Sequence, residues 1–131
     1  MGDNTEAYDV VVVGGGPAGQ SAALYATRLG HEAALIGVGG GRAAMMQEVH
    51  NLIGVPEETA GVEFIGIGAE QLDEYGTVQV RDRIEDVSGS AATGFTLTGA
   101  SGNYTADVVV LATGFADARP DPPLPRTGRA L

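Results

Sequence analysis

The chain has 131 residues, 44% of them hydrophobic, a formal net charge of −10 and no cysteine. This length fits one domain with a buried core. The lack of cysteine excludes a disulfide framework and thiol catalysis by these residues. The negative charge argues against nucleic-acid binding. No apolar run approaches the ~20 residues that a membrane helix needs and the polar residues 1–6 do not match a signal peptide, so we expect a cytoplasmic protein without a membrane partner.

The first third of the chain predicts a strand–helix–strand unit. Residues 1–7 are expected to form a polar tail, and the β-branched run Tyr8–Val13 predicts a strand that is buried on both faces. Gln20–Leu29 has helical spacing of its apolar residues, with Gly30 as the stop. Glu32–Ile36 predicts a second strand, which gives the unit the size of a βαβ crossover.

The remaining elements are a helix and several short strands. Thr59 is a candidate N-cap for a helix that runs to about Tyr75. Gly66 and Gly68 weaken this helix by roughly 1 kcal/mol each relative to alanine but allow close packing. The later strands are predicted at 78–80, 84–87, 95–98, 103–106 and 108–112. The proline-rich residues 119–131 are expected to be a linker or an extended arm.

The turn after the first strand has the spacing Gly14-x-Gly16-x-x-Gly19. In dinucleotide-binding folds the first glycine permits a sharp exit from the strand, the second lets the backbone approach a pyrophosphate, and the third lets helix and strand pack closely. Pro17 sits where a missing amide hydrogen costs little, and the helix amides face the anion. Because 21 residues are glycine, the pattern alone is weak. Its place between a buried strand and a helix favours a dinucleotide site over a structural turn.

One element of such a site is missing. Gly37 stands at the end of the second strand, where an acidic residue is expected to bind the adenosine ribose. Losing this hydrogen bond costs about 1–3 kcal/mol, and we expect backbone groups of residues 38–41 or the side chain of Arg42 to compensate. Arg42 is either a phosphate ligand or a solvated loop charge, and Gly39–Gly41 is either a second anion nest or a flexible loop.

Four segments of the chain together resemble the N-terminal flavin domain of the thioredoxin-reductase-like flavoproteins, which belong to the pyridine-nucleotide-disulfide oxidoreductases. They read DVVVVGGGPAG, VHNLIGVP, GVEFIGIGAEQLDEYG and VVVLATGFADARPDPP. The resemblance runs from about Tyr8 to Gly128. It implies an α/β, Rossmann-like FAD/NAD(P)-binding domain over residues 8–118, with a parallel central sheet, helices and a small antiparallel β-meander, truncated relative to the family.

The resemblance also implies which residues hold FAD. Asn51 would approach the flavin side of the cofactor, and Val87 would contact the adenine. The glycine turn would bind the pyrophosphate, and the end of the last strand would lie under the cofactor. The full set of implied or candidate cofactor-binding residues is Gly14, Gly16, Pro17, Ala18, Gly19, Gly37, Arg42, Asn51, Val87, Ala112, Thr113 and Gly114.

The family differs from this chain in length and in its second domain. Its members are more than twice as long and continue into an NADPH-binding domain with a redox Cys-x-x-Cys. We therefore expect a half-reductase: a natural truncation, one member of a split pair or a cut domain. NAD(P)H would donate electrons only if a partner supplied its site, and that partner would be an NADPH-domain chain or a second copy.

Three functions stay open from the sequence. The first is the FAD-binding domain of an NAD(P)H-dependent flavin oxidoreductase. The second is a nucleotide-binding module for NAD(H) or ADP without redox turnover, and the third is an interaction module that has lost catalysis. No catalytic residue and no metal site are predicted, since the carboxylates at Glu57–Glu58 and Asp82–Asp86 fit solvated faces. His50 is either at a flavin edge or in a turn.

The charged residues are biased in kind as well as in number. All seven basic residues are arginine, against 17 acidic residues. Adaptation to high salt, in which carboxylates keep the surface hydrated, would give this bias. A GC-rich genome would give it too, and the sequence leaves both explanations open.

Overall fold

In residues 4–39, 41–116 and 118, which the computed structural model describes, six strands form one mixed sheet beside three helices. The elements are β1 (Thr5–Val13), α1 (Pro17–Arg28), β2 (Ala33–Gly37), α2 (Gly41–Ala44), α3 (Gly61–Glu74), β3 (Val78–Arg81), β4 (Ile84–Ser90), β5 (Gly94–Gly99) and β6 (Asn103–Leu111). None of these helices is long and apolar enough to cross a membrane. The predicted proline-rich tail at 119–131 lies outside the described residues.

The sheet has the order β3-β2-β1-β6-β5-β4. β3, β2, β1 and β6 pair in parallel, whereas β4, β5 and β6 form an antiparallel meander. The predicted α/β architecture with a parallel sheet and a small meander is therefore confirmed. β1 lies where the chain changes direction, since β2 and β3 extend the sheet on one side of it and β6 on the other.

The pairing of β1 with β6 is longer than the sequence predicted. Thr5–Ala7 were expected in a polar tail, but they pair with Asn103–Thr105 and extend β1 to the full length of β6. Residues 103–106 and 108–112 were expected as two strands, but they form one strand that continues through Asp107. Both corrections have one cause: the long-range backbone pairing holds polar residues in strands that their own side chains do not favour.

Side chains of β1 alternate between two cores, as a strand buried on both faces requires. Val12 packs against α1 and α3, while Val11 and Val13 pack against the meander. The helix-side core comprises Val12, Ala23, Leu35 and Leu72, with partly buried neighbours. The meander-side core comprises Val11, Val13, Ala34, Ile36, Leu97, Tyr104 and Ala106. The parallel sheet is therefore a middle layer between helices and meander.

The two long helices begin differently from the sequence predictions. α1 starts at Pro17 rather than at residue 20, and Gly30, with φ of 93°, follows its end as predicted. α3 starts at Gly61 with Ala60 as N-cap, so the N-cap prediction for Thr59 is wrong. The Thr59 hydroxyl instead donates to the carbonyl oxygen of Pro56 at 2.7 Å. This bond closes the turn before the helix, and no side chain caps the first amides of α3.

The two glycines inside α3 have different surroundings. A Cβ on Gly68 would overlap the side-chain amide of Gln20 on α1, whereas a Cβ on Gly66 would meet nothing within 4 Å. Gln20 is 8% exposed, and its Nε2 donates to the carbonyl oxygen of Ile65 at 2.9 Å. Close packing of the helices therefore needs glycine at position 68 and gives no reason for it at position 66.

Asp82 at the corner between β3 and β4 is buried, although the sequence predicted a solvated carboxylate. Its Oδ2 accepts a hydrogen bond from the Tyr104 hydroxyl at 2.8 Å. Its Oδ1 accepts the backbone amides of Arg83 at 2.8 Å and Ser101 at 3.0 Å. Burial opposes ionisation, but the bonds from Tyr104 and from backbone amides outweigh it, so the pKa of the Asp82 carboxyl lies below its usual value. Asp82 thus fixes the corner where the meander folds back over the parallel sheet.

Candidate functional site

A cleft of about 520 Å³ opens at the C-terminal ends of β1, β2 and β6. It is lined by residues 14–18, 37–39, 41–43 and 111–115, and we call it the glycine cleft. Open α/β sheets bind ligands at this edge, where the strand order reverses. The volume lies within the roughly 300–1,000 Å³ that is typical of ligand pockets.

Backbone contacts hold the strand ends together beneath the cleft. The amide of Gly14 donates to the carbonyl oxygen of Ile36 at 2.8 Å, and the amide of Ala112 donates to that of Val13 at 2.8 Å. Gly14 has φ of 113°, and a Cβ there would overlap the carbonyl oxygen of Ala112. A Cβ on Gly19 would overlap the carbonyl oxygen of Gly14. These two glycines are therefore required by the turn and by the packing of α1 on β1.

Gly15 and Gly16 have no such reason to be glycine. Neither has a positive φ, and a Cβ on either would meet nothing within 4 Å. Gly16 is the N-cap of α1 and has no side chain to accept the first amides, while Pro17 has no amide hydrogen. The amides of the first helical turn lack intrahelical acceptors. The open space at the two glycines thus forms a cradle in front of a helix N-terminus, which suits an anion.

Charge in the glycine cleft is opposite in sign to that of the chain. Of the residues that line it within the described part of the chain, Arg42 alone is charged, and no carboxylate lines it. The guanidinium carbon of Arg42 lies 4.4 Å from the centroid of the Phe115 ring. A chain with a net charge of −10 therefore presents a cationic and amide-rich cleft, as a phosphate ligand requires.

Gly37 has a steric role that the sequence did not reveal. A Cβ on Gly37 would lie 2.9 Å from the backbone nitrogen of Gly15, closer than side-chain carbons normally approach. The end of β2 can approach the glycine turn because Gly37 has no side chain. An acidic residue at this position would displace the turn. The close approach of β2 to the glycine turn therefore explains why position 37 carries no acidic ribose ligand.

A second depression of about 250 Å³ continues from the cleft toward the end of β3. It shares Gly15, Gly37 and Gly39 with the cleft, and Val80 and Arg81 line its far side. We call it the side depression. Together the two spaces form a path from the N-terminus of α1 across the end of β2 to the edge strand of the sheet.

The predicted site residues divide into two groups. Those brought together at the glycine cleft are Gly14, Gly16, Pro17, Ala18, Gly37, Arg42, Ala112, Thr113 and Gly114, with Gly19 buried directly beneath the turn. Asn51 and Val87 line neither the cleft nor the side depression. Asn51 is exposed in the connector before α3, and Val87 lies in β4 opposite Leu97.

Three further observations concern residues that sequence reasoning raised or missed. His50 Nε2 lies 3.1 Å from Oε2 of Glu48, with both side chains exposed, which forms an ion pair when the histidine is protonated. No group of three or more potential metal ligands occurs within the residues that the structure describes. Phe115 and Arg81 were not predicted as site residues. Phe115 directly follows the predicted Gly114, so its position was a usable signal, whereas Arg81 reaches the side depression through the pairing of β3 with β2.

Known proteins match this chain over most of its length. The family model described as pyridine nucleotide-disulphide oxidoreductase matches residues 8–129. Thioredoxin reductase from Peptoclostridium litorale is 40% identical over 114 residues, which are 82% of this chain and 34% of that protein. Glucosaminate ammonia-lyase from Pseudomonas fluorescens is 39% identical over 112 residues, which are 84% of this chain and 34% of that protein.

A solved structure shows the same fold. A thioredoxin reductase from Gloeobacter violaceus superimposes with a TM-score of 0.79 at 30% sequence identity, and the match covers 88% of this chain and 38% of that one. The chain therefore spans about a third of the length of the curated relatives it matches.

Proposed function

Since the chain belongs to the pyridine nucleotide-disulphide oxidoreductase family, we propose that it binds FAD as part of a thioredoxin-reductase-like flavin oxidoreductase. The observation that carries this proposal is the cradle at Gly15 and Gly16. No turn, strain or packing requires glycine at either position, and both open on a helix N-terminus. A diphosphate bridge is the ligand group that needs such close approach to backbone amides.

Each lining segment has a role in this proposal. The amides of Ala18 and Gly19 donate to the diphosphate, and Arg42 neutralises its charge from the opposite loop. Residues 112–114 at the end of β6 support the cofactor from below. FAD supplies the hydride-accepting chemistry when it is bound, and the chain supplies binding, orientation and electrostatics.

The adenosine end of the cofactor is assigned to the side depression. This space continues from the glycine turn and ends at Val80 and Arg81 of β3. We therefore propose that the end of β3 contacts the adenosine. The contact of Val87 with the adenine and the contact of Asn51 with the flavin stay predictions.

Turnover requires groups that these residues do not contain. The chain has no cysteine, so a redox dithiol must come from elsewhere, as must a site that holds NAD(P)H while FAD is bound. Relatives of nearly equal identity are named thioredoxin reductase and glucosaminate ammonia-lyase, so we assign no electron acceptor. A partner chain or homodimer, a cytoplasmic location and adaptation to high salt stay predictions.

Ligand titration of the purified chain tests the proposal. We expect a yellow protein, or uptake of added FAD, with at least roughly tenfold weaker binding of FMN because FMN lacks the diphosphate and adenosine. ADP should compete with FAD for the site. Equal affinity for ADP, NADH and FAD would support the nucleotide-binding module instead. A folded protein that takes up no FAD at high concentration would refute the proposal.

A further inference from the structure

Arg81 lines the side depression beside Gly37, the position at which a ribose ligand is expected. It pairs with Gly37 in the register of β2 and β3, so the two residues lie side by side at the strand ends. Its Nη1 lies 3.7 Å from the position that a Cβ of Gly39 would take. The guanidinium group therefore extends along the loop after β2, at the far end of the path that begins at α1.

Arg81 has no acidic partner among the residues that the structure describes. No carboxylate lines the side depression, and within the described part of the chain Arg81 is the one charged residue of its lining. The chain carries 17 acidic residues against seven arginines, so a lining with a cation and no carboxylate runs against the overall charge. An anionic group of a ligand would meet a cation there and no carboxylate in the lining.

Two features of dinucleotide folds decide which ribose they accept. An acidic residue at the end of the second strand binds the free 2′-hydroxyl, and a nearby arginine accommodates a 2′-phosphate. Here the acidic position is Gly37, which its contact with Gly15 keeps without a side chain. The adjacent strand supplies Arg81 instead. Both features therefore match the phosphorylated ribose.

We propose that the side depression is a 2′-phosphate subsite, so that this chain binds 2′-phosphoadenosine dinucleotides of the NADP(H) class in competition with FAD. The proposal rests on the proposed function in one respect, since the diphosphate bound at α1 directs the adenosine toward Arg81. The adenosine ribose of FAD carries a free 2′-hydroxyl, which can also form hydrogen bonds with groups in the side depression. Occupancy of the site then depends on the relative concentrations of the two dinucleotides.

Calorimetry of the full chain with NADP⁺ and NAD⁺ tests the proposal, because these ligands differ only in the 2′-phosphate. We expect NADP⁺ to bind at least about tenfold tighter than NAD⁺, as a charge-assisted hydrogen bond in a partly enclosed site allows. Arg81→Gln should reduce the ratio to near one, because it should weaken binding of NADP⁺ far more than binding of NAD⁺. Added salt should lower the ratio in the original chain.

Arg83→Gln is the matched control. It removes the same charge two positions away, and Arg83 lines neither the glycine cleft nor the side depression. Arg83 donates its backbone amide to Asp82 and accepts from the amide of Ala100 with its carbonyl oxygen, so the substitution leaves both bonds in place. This variant should keep the NADP⁺ preference, and thermal unfolding of both variants checks that they fold.

A parallel FAD titration separates this inference from the proposed function. If FAD binds but NADP⁺ shows no advantage, or if Arg81→Gln keeps the advantage, the 2′-phosphate subsite is refuted and the FAD proposal stands. If NADP⁺ binds with an Arg81-dependent advantage and FAD does not bind, the subsite stands and the flavin assignment falls. If no dinucleotide binds to folded protein, both are refuted.

Discussion

The guanidinium of Arg42 lies over the ring of Phe115, with 4.4 Å between the guanidinium carbon and the ring centroid. Arg42 follows β2 in α2 and Phe115 follows β6, so this contact joins two loops across the glycine cleft. A cation over an aromatic ring is attracted by the electron-rich face of the ring. The contact therefore holds the cation of the cleft near the position proposed for the diphosphate.

Loss of the Phe115 ring should weaken binding of FAD. In Phe115→Ala the Arg42 side chain gains rotamer freedom that it must lose again on binding, at a cost of up to about 2 kcal/mol. We expect FAD affinity to fall by about three- to tenfold, measured by fluorescence quenching of the flavin. Phe115→Tyr keeps the ring and should bind as the original chain does. Equal affinity of all three proteins would show that Arg42 needs no support from the ring.

Replacing the two glycines of α3 by alanine should change the free energy of unfolding in opposite directions. Gly66→Ala adds a methyl group in open space on an exposed helix position, so we expect a gain of about 0.5–1 kcal/mol in the free energy of unfolding. Gly68→Ala forces the buried Gln20 amide to move and breaks its bond to Ile65, at a cost of about 1–3 kcal/mol. Urea unfolding measures both. A gain in stability for Gly68→Ala would mean that α1 and α3 can move apart at this contact without loss of stability.

Gly37→Ala should destabilise the end of β2. The added methyl carbon would lie 2.9 Å from the backbone nitrogen of Gly15, and overpacking of this kind costs about 1–3 kcal/mol. Affinity for FAD should fall as well, because the glycine turn must shift. Gly66→Ala serves as the control for the same chemical change outside the site. A Gly37→Ala protein with unchanged unfolding and unchanged FAD affinity would contradict the steric role assigned to this glycine.

Stability should fall at both ends of the pH range because of the pair formed by Asp82 and Tyr104. The pKa of Asp82 is lowered in the folded protein, so its contribution is present above the unfolded value of about 3.9 and is lost as pH falls through the lowered pKa. Burial and the bond to Asp82 raise the pKa of Tyr104 from 10.0 to about 12. Its contribution is therefore present below pH 10 and is lost as pH rises from 10 toward 12.

Tyr104→Phe tests this pair by urea unfolding as a function of pH. The variant should be less stable near neutral pH and should lose less stability above pH 10 than the original chain. Some alkaline loss should remain, because burial and Glu6 also raise the pKa of Tyr8 to about 12. If both proteins lost the same stability above pH 10, Tyr104 would be excluded as a source of this pH dependence.

Local patterns predicted the elements that form the site but not the contacts between them. The valine run of β1 and the glycine spacing at residues 14–19 predicted the strand, the turn and the helix, because these depend on neighbouring residues. The burial of Asp82 depends on a meander that folds over the sheet, and no local pattern encodes that packing. The sequence likewise showed what Gly37 lacks but not its contact with Gly15.

Distance along the chain also explains the residues that were missed. The contact of Phe115 with the predicted Arg42 joins loops that follow different strands, and Arg81 reaches the side depression through the pairing of β2 with β3. The assignment of Val87 came from a resemblance, whereas its place in β4 follows from the antiparallel pairing with β5. Strand pairing, rather than sequence neighbourhood, therefore determines which side chains border the cleft.

The affinity of Gly16→Val for FAD is the sharpest test of a diphosphate site at the start of α1. Gly16 has φ of −77° and ψ of −177°, which valine adopts, and a Cβ there meets no protein atom within 4 Å. Valine is a poorer N-cap than glycine by about 1 kcal/mol or less, so thermal unfolding is followed in parallel. If backbone amides at the start of α1 bind the diphosphate, the folded variant should bind FAD at least roughly tenfold more weakly. A folded Gly16→Val protein that binds FAD as tightly as the original chain would contradict the account.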